Sequence, residues 1–164
     1  MEKIAKITFC GGTGSVTGSN FLLEAEGKKI LIDCGLVQGI KVADDINWDP
    51  FPYNPKEIDL LFITHAHVDH LGRIPKLIHE GFHGKIYSTE PTRALALPML
   101  EDTAGILSNN NNVELHLDKI YTAENIKLAL ALWQGFSYHD IIKITPNLEV
   151  SFLNAGHILG STMI

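Results

Sequence analysis

The chain contains few cysteines and lacks any apolar run long enough to cross a bilayer. With Cys10 and Cys34 alone among 164 residues, it falls outside the disulfide-stabilised class of small secreted domains, and a reducing cytoplasm is the expected location. Residues 1–6 alternate charged and apolar side chains and lack the apolar centre of a secretory signal. We expect no membrane association, and we interpret Cys34 as a small buried residue rather than a metal neighbour.

Basic residues are also scarce, because 13 lysines and arginines stand against 19 aspartates and glutamates, for a formal net charge of −6. Taken alone, this charge argues against a nucleic-acid-binding protein, which usually presents a basic face. The objection weakens if Asp33 and Asp69 lie beside metal cations, or if the basic surface lies on another part of a larger protein. A composition of 45% hydrophobic and 20% charged residues is that of one ordinary globular domain.

Short apolar segments bounded by glycine, proline and asparagine predict a series of β-strands. We predict strands at residues 4–9, 21–25, 29–33, 58–64, 85–88, 141–145 and 148–154. A long loop rich in proline, aspartate and asparagine is predicted at residues 36–56, and a second loop at the asparagine run 109–112. Because helical segments alternate with these strands, the sequence predicts an α/β domain.

Three helices are predicted from capping residues, terminal glycines and a first-turn proline. They are residues 71 to about 80 closed by Gly81, a helix from Pro91 with Thr89 as its cap, and a helix from Thr122 to Gly135. We expect Pro98 to kink the second helix, since proline clashes with the preceding turn. We expect Trp133 to lie on the buried face of the third.

Four potential metal ligands lie within six residues, in the sequence HAHVDH at positions 65–70. The motif follows a predicted strand and precedes a predicted helix, so its side chains lie on a tight loop held by a rigid scaffold. Imidazoles and a carboxylate suit zinc and other first-row metals. His65 and His67 are two residues apart and can lean to one side, while Asp69 and His70 point elsewhere, so one loop can serve two adjacent metals. Ordinary surface histidines explain this clustering poorly.

Two further positions carry metal chemistry. His157 follows the last predicted strand and, with His65 and His67, would complete a three-histidine site with a fourth position open for water. The alternative for His157 is a structural histidine. Asp33 ends a predicted strand, where its carboxylate can accept the distal N–H of a ligating histidine and fix its tautomer. A turn-forming aspartate before a glycine explains Asp33 equally well.

Other candidate positions are interpreted as structural. The segment GGTGSVTGS at residues 11–19 is similar to a dinucleotide-binding loop, but a predicted strand rather than a helix follows it. We therefore predict a turn or loop near the metal edge. Four histidines without ligand neighbours are predicted to be surface or packing residues: His79, His83, His116 and His139.

Asp33, the motif at 65–70 and Ala155-Gly156-His157 together resemble the metallo-β-lactamase fold superfamily. The segments at residues 35–39, 71–75, 81–87 and 156–161 are similar to its β-CASP branch, which contains ribonuclease J and the endonuclease of the pre-mRNA 3′-end cleavage complex. The resemblance covers essentially the whole chain. It implies an αβ/βα sandwich, two zinc ions and cleavage of single-stranded RNA at its phosphodiesters.

The resemblance also implies a role for each matched residue. His65, His67 and His157 would bind the first zinc, and Asp69 and His70 the second. Asp33 would orient the site, and Asp69 would also help to position or deprotonate the water. A hydroxide held between the two metals would attack phosphorus.

Members of this family continue to a metal-bridging aspartate, the inserted β-CASP domain and a further histidine. This chain ends at Ile164, so we interpret residues 1–164 as the N-terminal part of a metallo-β-lactamase domain, with the fold incomplete at its C-terminus. We expect at most one well-formed zinc site and no nuclease activity from this chain alone. A truncated sheet edge leaves homodimerisation open.

Two other functions remain open at this point. One is a metallo-hydrolase of the thioester or lactam type, against which the long loop at 36–56 and the Gly160-Ser161 pair argue. The other is a non-catalytic subunit of an RNA-processing complex. Such subunits tend to lose metal ligands, whereas this chain keeps every ligand that its length can carry.

Overall fold

A computed structural model describes residues 5–39, 43–108 and 117–164. The main sheet in this part of the chain has six strands in chain order: β1 (Ala5–Gly11), β2 (Asn20–Ala25), β3 (Lys28–Ile32), β4 (Leu60–Phe62), β5 (Lys85–Thr89) and β6 (Trp133–Phe136). Strands β1 to β3 are antiparallel, and β3 to β6 run parallel. The parallel half requires crossover connections, which the helices supply.

The helices are α1 (Ala43–Trp48), α2 (Val68–Leu71), α3 (Ile74–His79), α4 (Glu90–Ser108), α5 (Leu117–Ile120) and α6 (Ala123–Ala131), with a short 3-10 helix at Pro55–Glu57. Two antiparallel pairs follow the main sheet, β7 (Ile142–Thr145) with β8 (Leu148–Val150) and β9 (Leu153–Asn154) with β10 (Thr162–Met163). None of the helices in the described ranges combines the length and apolar composition that a bilayer crossing requires.

Both faces of the central strands are buried. Alternation along a strand sends Leu31 and Leu61 into one cluster and Ile30 and Phe62 into the other. The first cluster contains apolar side chains of α3, α4 and α6, and the second includes Phe152 beside the β7–β8 pair. This two-sided burial explains why the parallel strands have continuous apolar sequences.

The carboxyl ends of the parallel strands form one edge of the sheet. Asp33 follows β3, Thr64 and His65 follow β4, and Thr89 ends β5. In open α/β sheets, ligands bind outside this edge, where the loops are held by the strands that precede them. The sheet therefore brings the predicted metal-binding loop beside Asp33.

Several local predictions are confirmed. The chain is α/β, and the predicted strands at 21–25, 29–33 and 85–88 are present within a residue or so. The Thr122 hydroxyl caps α6 by accepting a hydrogen bond of 3.0 Å from the Asn125 amide. Gly81 follows α3 with φ +100°, a conformation that costs glycine least. Cys34 is buried, and burial raises the pKa of its thiol to about 11.

Trp133 and Gly135 were expected in a helix, and that prediction is wrong. Helix α6 ends at Ala131, and both residues belong to β6, where Trp133 is paired with Ile86. The Trp133 indole donates a hydrogen bond of 2.8 Å to the buried Ser88 hydroxyl. The spacing of apolar residues before Trp133 suggested that its side chain lies on the buried face of a helix. Pairing of β6 with β5 instead buries the indole and places its N–H beside a hydrogen-bond acceptor.

Other element boundaries also differ from the prediction. The helix expected from residue 71 is two helices, because α2 begins at Val68 and the chain turns again before Ile74. The strand expected at 58–64 is limited to Leu60–Phe62, and the one at 148–154 is divided between β8 and β9. The loop at 36–56 contains α1. Pro98 lies inside helix α4, as expected, and a kink there stays a prediction.

Some predictions lie outside the described residues, namely Ile4 of the first strand, the loop at 109–112 and His116. Within the described part, β1 is an edge strand of the main sheet, and Ile7 and Phe9 on it are 50% and 60% exposed. Homodimerisation through a sheet edge stays a prediction.

Candidate metal centre

Three imidazoles converge at the edge formed by the parallel strands. The Nε2 atom of His65 lies 3.1 Å from Nδ1 of His67, and Nε2 of His157 lies 3.2 Å from the same Nδ1. All three ligand atoms lie within 4.8 Å of one another. Ring nitrogens gathered in this way fit a metal ion bound by three histidines, with a further coordination position left open.

The three histidines come from two loops that are far apart in sequence. His65 and His67 lie between β4 and α2, where His67 precedes the helix in an extended conformation with φ −74° and ψ 147°. His157 lies between β9 and β10. The first two rings are buried or half-buried and the third is exposed, so the cluster opens toward solvent on the His157 side.

Asp33 lies directly behind the cluster. Its carboxylate is 1% exposed and accepts hydrogen bonds from the Ser19 hydroxyl at 2.9 Å and the Thr64 amide at 2.8 Å. Nδ1 of His70 lies 2.7 Å from Asp33 Oδ2. Because a carboxylate accepts, Nδ1 of His70 carries the proton and its Nε2 is left to face outward. Asp33 thus contacts His70 in the orienting manner expected, while its role in the function stays a prediction.

Thr64 is a site residue that the sequence reasoning missed. Its hydroxyl lies 2.9 Å from Asp33 Oδ2 and 3.0 Å from Nδ1 of His65. A hydroxyl that donates to the carboxylate can accept the Nδ1–H of His65, which leaves the Nε2 lone pair facing the cluster. Thr64 could have been identified from its position in the sequence, because it follows a buried strand and directly precedes the HAHVDH motif.

Asp69 and His70 lie beside the three-histidine group and outside it. The rings of His65 and His70 are 3.9 Å apart at their centroids, and Nε2 of His70 lies 3.6 Å from Asp69 Oδ2. These two side chains therefore point to a common place next to the cluster. Their binding of a second metal stays a prediction.

The pKa values of two neighbouring histidines are shifted in opposite directions. Burial, together with the positive charge of His70, lowers the pKa of His65 from 6.5 to about 4. Burial also acts to lower the pKa of His70, but the hydrogen bond and charge of Asp33, with the charge of Asp69, outweigh it and raise the pKa. His65 is consequently neutral at pH 7, which is the form that binds metals.

The loop at residues 11–19 borders the same edge, as expected. Gly12, Gly14 and Gly18 have positive φ angles, and β2 rather than a helix follows them. The Ser19 amide donates to the Asp69 carbonyl at 2.9 Å, which attaches the end of this loop to the predicted metal-binding loop. The predicted surface histidines at 79, 83 and 139 are exposed.

Comparison with known families agrees with this geometry. The model of the metallo-beta-lactamase superfamily domain matches residues 22–164. The chain belongs to the metallo-beta-lactamase superfamily. This family is metal-dependent, and the three-histidine cluster of the present member could hold a metal ion.

Three relatives of this metallo-beta-lactamase domain are informative. Ribonuclease TTHA0252 of Thermus thermophilus is 36% identical over 154 residues, which cover 94% of this chain and 33% of the relative. Transcription termination factor FttA of Methanosarcina mazei is 34% identical, with 99% of this chain and 25% of the relative covered. Integrator complex subunit 11 of Danio rerio is 30% identical, with coverages of 97% and 27%.

The chain thus spans between a quarter and a third of the length of these curated relatives. Among solved structures, a protein of unknown function from Enterococcus faecalis V583 superposes with a TM-score of 0.62. The matched region covers 98% of this chain and 40% of the Enterococcus faecalis chain, and the two sequences are 16% identical. That likeness supports the fold of this metallo-beta-lactamase domain.

The opposite pKa shifts predict how the stability of the metal-free domain depends on pH. Between pH 6.5 and about 4, the unfolded chain binds a proton at His65 that the folded chain does not, so stability falls as the pH falls. His70 binds its proton more tightly when folded, so its contribution is complete below its unfolded pKa and is lost as the pH rises through the folded pKa. We expect the highest urea midpoint near pH 6.5.

Replacing His65 by glutamine should flatten the acid side of this profile between pH 6.5 and 5, while the same change at exposed His79 should leave it as in the wild type. Urea midpoints at pH 5, 6.5 and 8 measure the effect. An acid slope that persists in His65→Gln would show that other groups cause it.

Proposed function

We propose that the protein containing this chain is a zinc-dependent hydrolase of the β-CASP branch that cleaves phosphodiester bonds in single-stranded RNA. The observation that carries this proposal is the convergence of His65, His67 and His157 in front of the Asp33 carboxylate. Support for RNA comes from relatives whose names describe a ribonuclease, a transcription termination factor and an Integrator subunit. We also propose that residues 1–164 are the N-terminal part of the metallo-β-lactamase domain of a longer, cytoplasmic protein.

The donor atoms fit zinc. His65 Nε2, His67 Nδ1 and His157 Nε2 would hold one ion, since neutral imidazoles in groups of three are common zinc ligands. Asp69 Oδ2 and His70 Nε2 would hold the second. When bound, such ions act as Lewis acids on a phosphoryl oxygen and provide a nucleophile at neutral pH.

The protein's own residues prepare this chemistry. The Thr64 hydroxyl holds the Nδ1–H of His65, which leaves Nε2 of that ring unprotonated, and Asp33 holds the Nδ1–H of His70, which directs its Nε2 outward. Asp69, which is 20% exposed, would also help to position or deprotonate the attacking water. Each residue is held on a strand end or the first turn of a helix, so its orientation is set before substrate arrives.

A cleft beside His157 offers room for the substrate. It has a volume of about 320 Å³ and is bordered by Pro91, Tyr138, Asn154 and Leu159. This cleft lies next to the exposed His157, and we propose that it receives part of a single-stranded RNA segment. Because the chain carries a net charge of −6, we propose that the basic residues for RNA lie mainly elsewhere in the longer protein.

The test compares two substrates with the whole protein that contains this chain. We expect zinc-dependent cleavage of a labelled single-stranded RNA, abolished by EDTA and restored by added zinc, and slow turnover of a thioester. Faster thioester hydrolysis would favour the thioester or lactam class. Equal function of the wild type and His67→Ala in an RNA-processing assay would instead indicate a non-catalytic subunit.

A further inference from the structure

The loop that carries His157 is braced by one buried hydroxyl. The Ser161 Oγ atom accepts hydrogen bonds from the amides of His157 at 3.0 Å and Ile158 at 3.1 Å. The Ser161 amide donates to the Ile158 carbonyl at 3.0 Å, and Ser161 is 2% exposed. These three hydrogen bonds set the internal shape of the loop. Other contacts attach the loop to the sheet.

Gly160 provides the attachment. Its carbonyl accepts hydrogen bonds from Thr89 Oγ1 at 2.6 Å and Thr92 Oγ1 at 2.9 Å. Both threonines are buried, at the end of β5 and in the first turn of α4. Gly160 has φ +83°, and a Cβ there would lie 2.6 Å from the Thr92 amide nitrogen, so this close approach requires glycine.

The attachment matters because the side chain of His157 is poorly restrained by burial. Its exposed ring packs edge-on against the rings of His65 and His67, with centroids 4.9 and 5.0 Å away. Its position must therefore come mainly from its backbone. A second anchor is the Thr162 amide, which donates to the Thr64 carbonyl at 2.9 Å.

We propose that Thr89 and Thr92 are positioning residues that set the distance of His157 Nε2 from His65 and His67. Both hydroxyls lie within hydrogen-bond distance of the Gly160 carbonyl and 3.0 Å from each other, so the two threonines and this carbonyl form one buried hydrogen-bonded group. The first two histidines follow β4, and Thr89 ends the adjacent parallel strand β5. The threonines thus attach the loop of the third histidine to the same sheet edge that carries the other two. This inference rests on the proposed metal site.

Thr92→Val removes the hydroxyl but preserves shape, and Thr92→Ser keeps the hydroxyl. With zinc and a chromophoric competing chelator, we expect Thr92→Val to weaken zinc binding about tenfold, as is typical when a hydrogen bond supporting a ligand is lost. Thr92→Ser should bind as the wild type does. Thr103→Val is the matched control, because Thr103 is also buried on α4 and its hydroxyl donates to the Met99 carbonyl at 2.7 Å, away from the loop.

A second readout needs no metal. Amide hydrogen exchange in the metal-free chain should be faster at His157 and Ile158 in Thr92→Val than in Thr92→Ser or Thr103→Val, because the loop is released from the sheet. If Thr92→Val does not fold, Thr89→Val tests the other hydroxyl in the same way. In a His157→Ala background, Thr92→Val should weaken zinc binding no further.

The outcomes separate the two proposals. Absence of zinc from the wild-type whole protein would contradict the proposed function, while the exchange measurement would still decide the role of the threonines. Unchanged zinc affinity and unchanged exchange in Thr92→Val would overturn that role. So would an equal loss in Thr92→Ser, or an additive loss in the His157→Ala background, since either would show that the hydroxyl does not act through His157.

Discussion

Replacing Gly35 by alanine is expected to destabilise the fold by about 4 kcal/mol or more. A single substitution causes a loss of this size only where it creates a severe steric clash or a comparable defect. A Cβ at this position would lie 1.6 Å from the carbonyl oxygen of Asp69 and 2.1 Å from its carbonyl carbon. Both are backbone atoms of the loop that contains the HAHVDH motif, so no side-chain rotation relieves the clash. Urea unfolding monitored by circular dichroism measures the effect.

Neighbouring hydrogen bonds leave the backbone little room to move. The Gly35 amide donates to the Ser19 carbonyl at 2.9 Å, and the Cys34 amide donates to the His70 carbonyl at 2.7 Å. Gly105→Ala is the matched control, because a Cβ at Gly105 on α4 meets open space. That variant should lie within about 1 kcal/mol of the wild type. Similar unfolding curves for the two variants would contradict the close packing at Gly35.

Alanine at position 67 is expected to weaken zinc binding by more than about 100-fold. Loss of a group that merely supports a ligand costs about 10- to 100-fold, and His67 would itself be a ligand. Its Nδ1 is the shared neighbour of both other histidines, at 3.1 and 3.2 Å, so its removal leaves them without a common partner. Zinc content after dialysis and a competition titration measure the change, with about one zinc per chain expected in the wild type.

His79→Ala provides the comparison, because His79 is an exposed histidine on α3. It should retain wild-type zinc content and wild-type stability. Zinc retained in full by His67→Ala would mean that the ion binds elsewhere. Loss of zinc together with loss of the folded circular dichroism spectrum would call for the milder His67→Gln, which keeps a polar side chain without the imidazole.

The sequence predicted the strand, the loop with the HAHVDH motif and the following helix because the information is local. A buried strand, a run of ligand-type residues and a following helix occupy fewer than 25 consecutive positions, from Ile58 to His79. From the residues alone, Asp33 stayed open between an orienting carboxylate and a turn residue, and only the family resemblance implied the first. The wrong assignment of Trp133 arose where local period and tertiary pairing disagree, since nothing near residue 133 indicates the Ser88 hydroxyl that receives its indole N–H.

Contacts between distant residues could not be predicted in the same way. The bonds from Thr89 and Thr92 to the Gly160 carbonyl span 71 and 68 residues. Buried threonines at a strand end and in the first turn of a helix have ordinary local explanations, such as the capping role expected for Thr89. The structure shows that the same hydroxyl also serves the loop that carries His157.

The separation of the third histidine from the other two has a consequence for how the molecule folds. His67 and His157 are 90 positions apart, so the three imidazoles can meet only after residue 157 has been synthesised and the β9–β10 hairpin has docked. Closing a loop of this length carries an entropic cost of roughly 4 kcal/mol plus a constant. Contacts with such sequence separation generally slow folding. A three-histidine cluster of this design therefore assembles only after the segment with His157 has docked, and a chain synthesised no further than β9 would present only two of the three imidazoles.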